Sequence, residues 1–130
     1  MIYDELLTFE EAQQEVMAHK RRMGFNTTDI ELEFGLLLEE LGELHNAWRK
    51  WKSPRPRRFA RLLIRMRIWR RPPALAYRME ARDEIADVLI FMLSLTDMLG
   101  IQAGEAVAAK MRLNAQRTYA TLPNGMRVKQ

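Results

Sequence analysis

The chain has 130 residues, 48% of them apolar and 29% charged, with a net charge of +4. That length suits one domain with its own core, and no run of apolar residues is long enough to span a bilayer. The absence of cysteine excludes a disulfide framework, a thiolate metal site and a cysteine nucleophile. Residues 1–11 carry acids and no base, the wrong charge for a secretory or transit leader, so a cytoplasmic protein is expected.

The spacing is helical almost throughout. Thr8 with Glu11 has the form of a capping box, and the helix it opens should run to about Met23, before Gly24. Thr28 with Glu31 repeats the signal. Ile30, Phe34, Leu37, Leu41, Leu44 and Trp48 then follow at intervals of three and four, one helical face, and Ser53-Pro54-Arg55-Pro56 stops the helix near Trp51. A third helix is framed by Pro72-Pro73 and Leu99-Gly100, with Ile85, Val88, Leu89, Met92, Leu95 and Leu99 as its stripe. A fourth is expected from about Gln102 to Thr118. Pro123-Asn124-Gly125 reads as a turn.

Charge is unevenly spread. Segment 49–82 holds 13 of the 21 Lys and Arg residues and only one acid, Glu80, a net of +12, which leaves −8 for the remainder. Within it, residues 57–71 fit a helix through Phe59, Leu62, Leu63 and Met66, although Ile64 to Ile68 alternates as a strand would. A helix is the expectation.

Two helices carry acids at metal-ligand spacing. Glu39, Glu40 and Glu43 fall within an arc of about 100° on the second helix. Glu84 and Asp87 stand at i, i+3 on the third, with Glu80 on the same side. Leu44, Ala47, Val88 and Phe91 occupy the positions where an i+4 base would neutralise Glu40, Glu43, Glu84 and Asp87. Like-charge pairs such as Glu39/Glu43 and Glu80/Glu84 cost roughly 0.2–0.5 kcal/mol each on a bare helix. A divalent cation between two such faces turns repulsion into coordination. An all-oxygen set suits magnesium, and the absence of any Glu-x-x-His motif argues against di-iron chemistry. The competing reading is that these are ordinary solvated acidic faces.

The pattern Glu39-Glu40-x-x-Glu43 followed by Glu84-x-x-Asp87 resembles the signature of the MazG-like, all-α nucleoside triphosphate pyrophosphohydrolases, which include dCTP and dUTP pyrophosphatase relatives. Gly24-Phe25-Asn26 is similar to the family's approach to its first motif. Residues 83–90 are similar to its second motif, and Lys110 to Arg117 to its closing Lys-x-x-x-Asn-x-x-Arg helix. The resemblance covers about residues 8–52 and 80–119. It implies an all-α, MazG-like helical bundle completed by oligomerisation, as a homodimer or homotetramer. Residues 1–130 would be a single domain, with a basic insert at about 52–73 and a loose tail at 119–130.

The resemblance also implies roles. Glu40, Glu43, Glu84 and Asp87 would ligate Mg2+, with Mn2+ as a substitute, and Glu39 would be a further ligand or orient the attacking water. Lys110 and Asn114 would hold substrate phosphates or sugar. Arg117, which closes the same motif, joins the expected substrate contacts, as does Asn26. The implied reaction is hydrolysis of a nucleoside triphosphate, a dNTP foremost, to the monophosphate and pyrophosphate, in the manner of a house-cleaning enzyme.

Departures from the pattern bear on specificity. Phe91 stands where dCTP-hydrolysing relatives carry a tyrosine, Ala81 where a lysine is common, and the gap from Glu43 to Glu84 is longer than usual. Trp48 and His45 are candidates for the base pocket, although a tryptophan in an apolar stripe is more often core. The insert reads as a solvated arginine-rich elaboration, or as a cationic flap stacking Trp51 or Trp69 on a base. Its interleaved Phe59, Ile64, Ile68 and Trp69 would also suit nucleic acid or a membrane surface. The alternative function is therefore a helical nucleic-acid-binding module, which is not expected. Within the family, a phosphoribosyl-ATP pyrophosphohydrolase shares the same carboxylate logic.

Overall fold

The computed structural model describes residues 6–52, 61–62, 65–66 and 74–129. Four helices carry the fold: α1 (Phe9–Met23), α2 (Ile30–Lys52), α3 (Ala74–Met98) and α4 (Ala103–Ala115). Strands β1 (Tyr119–Thr121) and β2 (Arg127–Lys129) follow as an antiparallel hairpin, Ala120 opposite Val128. The all-α expectation holds for the body of the chain. No helix is long and apolar enough to cross a membrane among the described residues.

The capping box at α1 forms as the sequence predicts. Thr8 Oγ1 accepts from the Glu11 backbone N–H at 3.2 Å, and the Glu11 carboxylate accepts from the Thr8 backbone N–H at 2.8 Å. Gly24 ends the helix in the left-handed region at φ 71°, which a side chain would strain. At α2 the expected Thr28/Glu31 box is replaced. Asp29 caps instead, accepting from the Leu32 N–H at 3.0 Å, while Asn26 Oδ1 accepts from the N–H groups of Thr28 and Asp29. Asn26 draws the chain into a turn that brings Asp29, one residue later, to the capping position.

α2 and α3 make the main contact of the fold and run antiparallel, since Lys50 meets Glu80, Glu40 lies by Glu84 and Asp87, and Glu33 shares Lys20 with Ser94. Ala47 and Ala81 are buried in this region, 1% and 4% exposed. The family's frequent lysine is thus replaced here by a packed alanine. α1 lies across α3, burying Met17.

The apolar stripe of α2 divides. Leu37 is buried and Ile30 and Leu44 half-buried, whereas Phe34, Leu38, Leu41 and Trp48 remain exposed. On α3, Leu95 is buried and Val88 half-buried, but Ile85, Leu89, Met92 and Leu99 are exposed. The six positions expected to form one core face on each helix span a wider arc than a single neighbour covers.

α4 is shorter than expected, ending at Ala115 rather than Thr118. Its start is capped from α1: the buried Gln13 accepts from the Ala103 N–H at 3.0 Å and donates to the Ile101 carbonyl at 2.9 Å. Gly104 leaves room for the Glu10 carboxylate against the first turn of α4, a space that a Cβ would fill. In the tail, expected as a loose segment around a turn, Pro123-Asn124-Gly125 sits at the hairpin tip with Gly125 at φ 83°. Of the basic insert, Arg61, Leu62 and Arg65 are helical, and the Met66 N–H donates to the Leu62 carbonyl. The rest of the 52–73 insert beyond α2, with Phe59, Ile64, Ile68 and Trp69, lies outside the described residues.

Candidate metal centre and adjoining cavity

Antiparallel packing of α2 on α3 brings the two acidic motifs face to face. Glu40, Glu84 and Asp87 each offer a carboxylate oxygen within 4.8 Å of the other two. Glu40 and Glu84 are half-buried and Asp87 is exposed. Burial raises the Glu40 carboxyl above its ordinary value, and the charges of Asp87, Glu43, Glu84 and Glu39 add to the shift. Glu84 is raised likewise, by burial and then by Glu43, Asp87 and Glu80, with Lys50 opposing. Glu43 and Glu39 are exposed at the edge of the cluster and act on it through their charge. Glu80 is drawn off, paired with Lys50 at 2.5 Å, a partner thirty positions away that helical spacing did not reveal.

The donor set fits a hard divalent cation. Glu84 Oε2 is buried and has no hydrogen-bond partner, the single such side-chain oxygen or nitrogen among the described residues. A buried acceptor without a partner is costly unless something positive completes it. Three converging carboxylates with no ion-paired base among the described residues supply oxygen ligands and a field that favours a cation.

One helical turn from these acids, a cavity of about 850 Å3 opens between α1, α2 and α3. Leu36 lies four residues before Glu40 and Phe91 four after Asp87, and both line it. Val16, Phe25, Leu32 and Ile90 make its walls apolar. Its polar part is a network not anticipated from the sequence. Lys20 Nζ donates to Glu33 Oε1 at 2.6 Å and to Ser94 Oγ at 2.8 Å, and Asn26 Nδ2 donates to Glu33 Oε2 at 3.0 Å. Glu33 and Ser94 are fully buried and Lys20 is 7% exposed. A signal was present: Glu33 shares the Ile30–Leu37 face and Lys20 the Gln13–Met17 face, so each charge sits at a core position of its helix. A charge in such a place requires an opposite one.

The other expected substrate contacts separate. Phe91 lines the cavity, half-buried. Asn26 lines it too, but Oδ1 takes two backbone N–H groups and Nδ2 serves the Asp29 carbonyl and Glu33, leaving no capacity for a ligand. Trp48 lies outside the cavity lining, half exposed on α2, with its ring stacked on His45 and Lys52 Nζ 5.0 Å above it. Lys110 and Asn114 are exposed and Arg117 half-buried. Among the described elements α4 packs on α1 and α3, and none of the three joins the described carboxylate cluster or the cavity lining within one chain.

No family model matches the chain. A dATP/dGTP diphosphohydrolase of Cyanophage S-2L is 45% identical over 42 residues, which are 32% of this chain and 40% of that relative's length. A solved structure, the Cyanophage S-2L MazG-like pyrophosphohydrolase bound to dGDP and three catalytic Mn2+ ions per active site, is similar across the whole fold. It is 26% identical with a TM-score of 0.59, covering 96% of this chain and 99% of its own. Whole-chain likeness to a MazG-like pyrophosphohydrolase thus accompanies two carboxylate motifs that meet across one helix pair.

Proposed function

We propose that the protein hydrolyses nucleoside triphosphates, deoxynucleotides foremost, to the monophosphate and pyrophosphate, as a nucleotide-pool cleansing enzyme. The observation that carries this reading is the Glu40–Glu84–Asp87 cluster with its partnerless Glu84 Oε2, one turn from a cavity large enough for a nucleoside. The phage relatives support it, one named for action on dATP and dGTP, the other binding dGDP and Mn2+.

Glu40, Glu43, Glu84 and Asp87 would hold Mg2+, or Mn2+ in its place. When bound, the cation supplies charge neutralisation for the triphosphate and acidifies water. Glu39, exposed beside the cluster, orients the attacking water and accepts its proton. The water oxygen bonds to the α-phosphorus as the α–β anhydride bond breaks, and pyrophosphate leaves with the electron pair. The cavity excludes solvent from the nucleoside, with Phe91 on its wall.

The active form is a homodimer or homotetramer. The exposed Phe34, Leu38 and Leu41 on α2, and Ile85, Leu89 and Met92 on α3, support this, because apolar residues exposed together on helix faces mark association sites. Lys110, Asn114 and Arg117 would then meet phosphate or sugar in the assembled site.

Incubation with Mg2+ and a panel of NTPs and dNTPs, with products resolved by ion-exchange chromatography, tests the chemistry. Monophosphate and pyrophosphate are expected; diphosphate with orthophosphate, or no turnover of any nucleotide, refutes it. Light scattering after size exclusion should give two or four times the 15.3 kDa chain mass. A monomer at working concentration would remove the oligomeric part.

A further inference from the structure

Lys20 is an unusual group to find on the wall of an apolar cavity. Its side chain is 9% exposed, and two of its three N–H groups are committed, to Glu33 and to Ser94. The third has no hydrogen-bond acceptor among the described residues, and the ammonium lies 5.8 Å from the centroid of the Phe91 ring. Glu33 is wholly buried, and both its oxygens are taken, one by Lys20 and the other by Asn26. Asn26 is saturated. The network therefore holds one donor at a fixed position on the cavity wall, which Glu15 and His19 also line.

Resting on the reading of the site as a nucleotide hydrolase, we infer that Lys20 selects the base, donating its remaining N–H to the 6-oxo group of a purine seated in the cavity. The chemistry favours this class for two reasons. A keto oxygen accepts from an ammonium, whereas the 6-amino group of adenine presents hydrogens to it and cannot accept at that position. The cavity's apolar walls and its volume of about 850 Å3 accommodate a bicyclic ring with its sugar. The triphosphate then extends along α2 and α3 by one turn, from Leu36 and Phe91 towards Glu40 and Asp87. Glu33, Asn26 and Ser94 are positioning residues, acting through Lys20.

The test reads binding, so that it does not depend on turnover. Calorimetry with Mg2+ compares the α,β-imido triphosphates of deoxyguanosine, deoxyinosine, deoxyadenosine and 2-aminopurine deoxyriboside on the unaltered protein. The two 6-oxo purines should bind about tenfold more tightly than the two without that oxygen, with or without the 2-amino group. In the double variant Lys20→Met/Glu33→Gln, which removes the donor and leaves no unpaired charge, the preference should fall to about twofold or less. Adenine bound as tightly as guanine by the unaltered protein overturns the assignment, and so does a double variant that is folded by circular dichroism and keeps the tenfold ratio. If the variant does not fold, the analogue series decides alone. A 6-oxo preference without pyrophosphate release would refute the enzymatic reading and keep Lys20 as the selector. Turnover with no preference does the reverse, and no binding of any analogue removes both.

Discussion

Two clusters of charge share α2 and α3, the first joined by Lys20 of α1, and solve the same problem in opposite ways. At Lys20–Glu33–Asn26–Ser94 the chain supplies its own cation, and both oxygens of the fully buried Glu33 are hydrogen-bonded. Two turns along α2, at Glu40, Glu84 and Asp87, no base among the described residues forms an ion pair and one buried carboxylate oxygen has no partner. The first cluster is neutralised within the fold and holds three helices together, with one Lys20 N–H left over. The second is complete only when something positive arrives. A carboxylate satisfied internally fastens the fold, whereas converging carboxylates left unsatisfied mark a place built for a ligand.

That contrast is open to direct attack. The largest expected effect is on chemistry: Asp87→Asn should lower pyrophosphate release at least roughly a hundredfold, with the helical circular dichroism signal and the melting temperature retained. A large loss of stability would mean that the acidic cluster is architecture after all. Next, Lys20→Met alone strands Glu33 in the interior and should cost about 3–5 kcal/mol in urea unfolding. Glu33→Gln added to it should restore much of that loss. If Lys20→Met proved neutral, the network would not be the fastening we describe.

A third prediction concerns ions and pH. Magnesium at ten times its Kd should stabilise the protein by about 1.4 kcal/mol, and chelation should reverse this. In the metal-free protein the signs follow from the raised carboxyls of Glu40 and Glu84. A carboxyl whose folded value lies above its unfolded one takes up its proton more readily in the folded state. The repulsion is therefore absent below the ordinary glutamate value of 4.5 and complete above the raised value. Thermal melts without metal should show stability rising as pH falls from neutrality towards 4.5. Glu11, held below its ordinary value by its backbone hydrogen bond to Thr8, loses its contribution only below that point, so the two effects do not overlap. A melting temperature that falls steadily over the same range would contradict the unsatisfied cluster. The smallest effect is expected at Lys50→Ala. Its pair with Glu80 is about half exposed, and its removal should change stability by less than about 1 kcal/mol.

Much of the molecule was legible in local spacing. The Thr8–Glu11 box, the stop at Gly24, the limits of α2 and α3 and the turn at Pro123-Asn124-Gly125 depend on contacts between residues a few positions apart. The acids Glu40, Glu84 and Asp87 were readable for the same reason, as faces of single helices. What spacing cannot carry is which faces meet. Tertiary packing alone decided that Lys50 neutralises Glu80, and that Phe34, Leu41 and Trp48 stay outside while Leu37 and Leu44 turn inward. It also decided that Lys20, Glu33 and Ser94, far apart along the chain, share one buried network beside the cavity. The sequence by itself determined the helices and the charges they bear, because periodicity and capping act within a turn or two. The pairing of those charges had to wait for the fold, because burial sets their energy and burial is a property of several helices together.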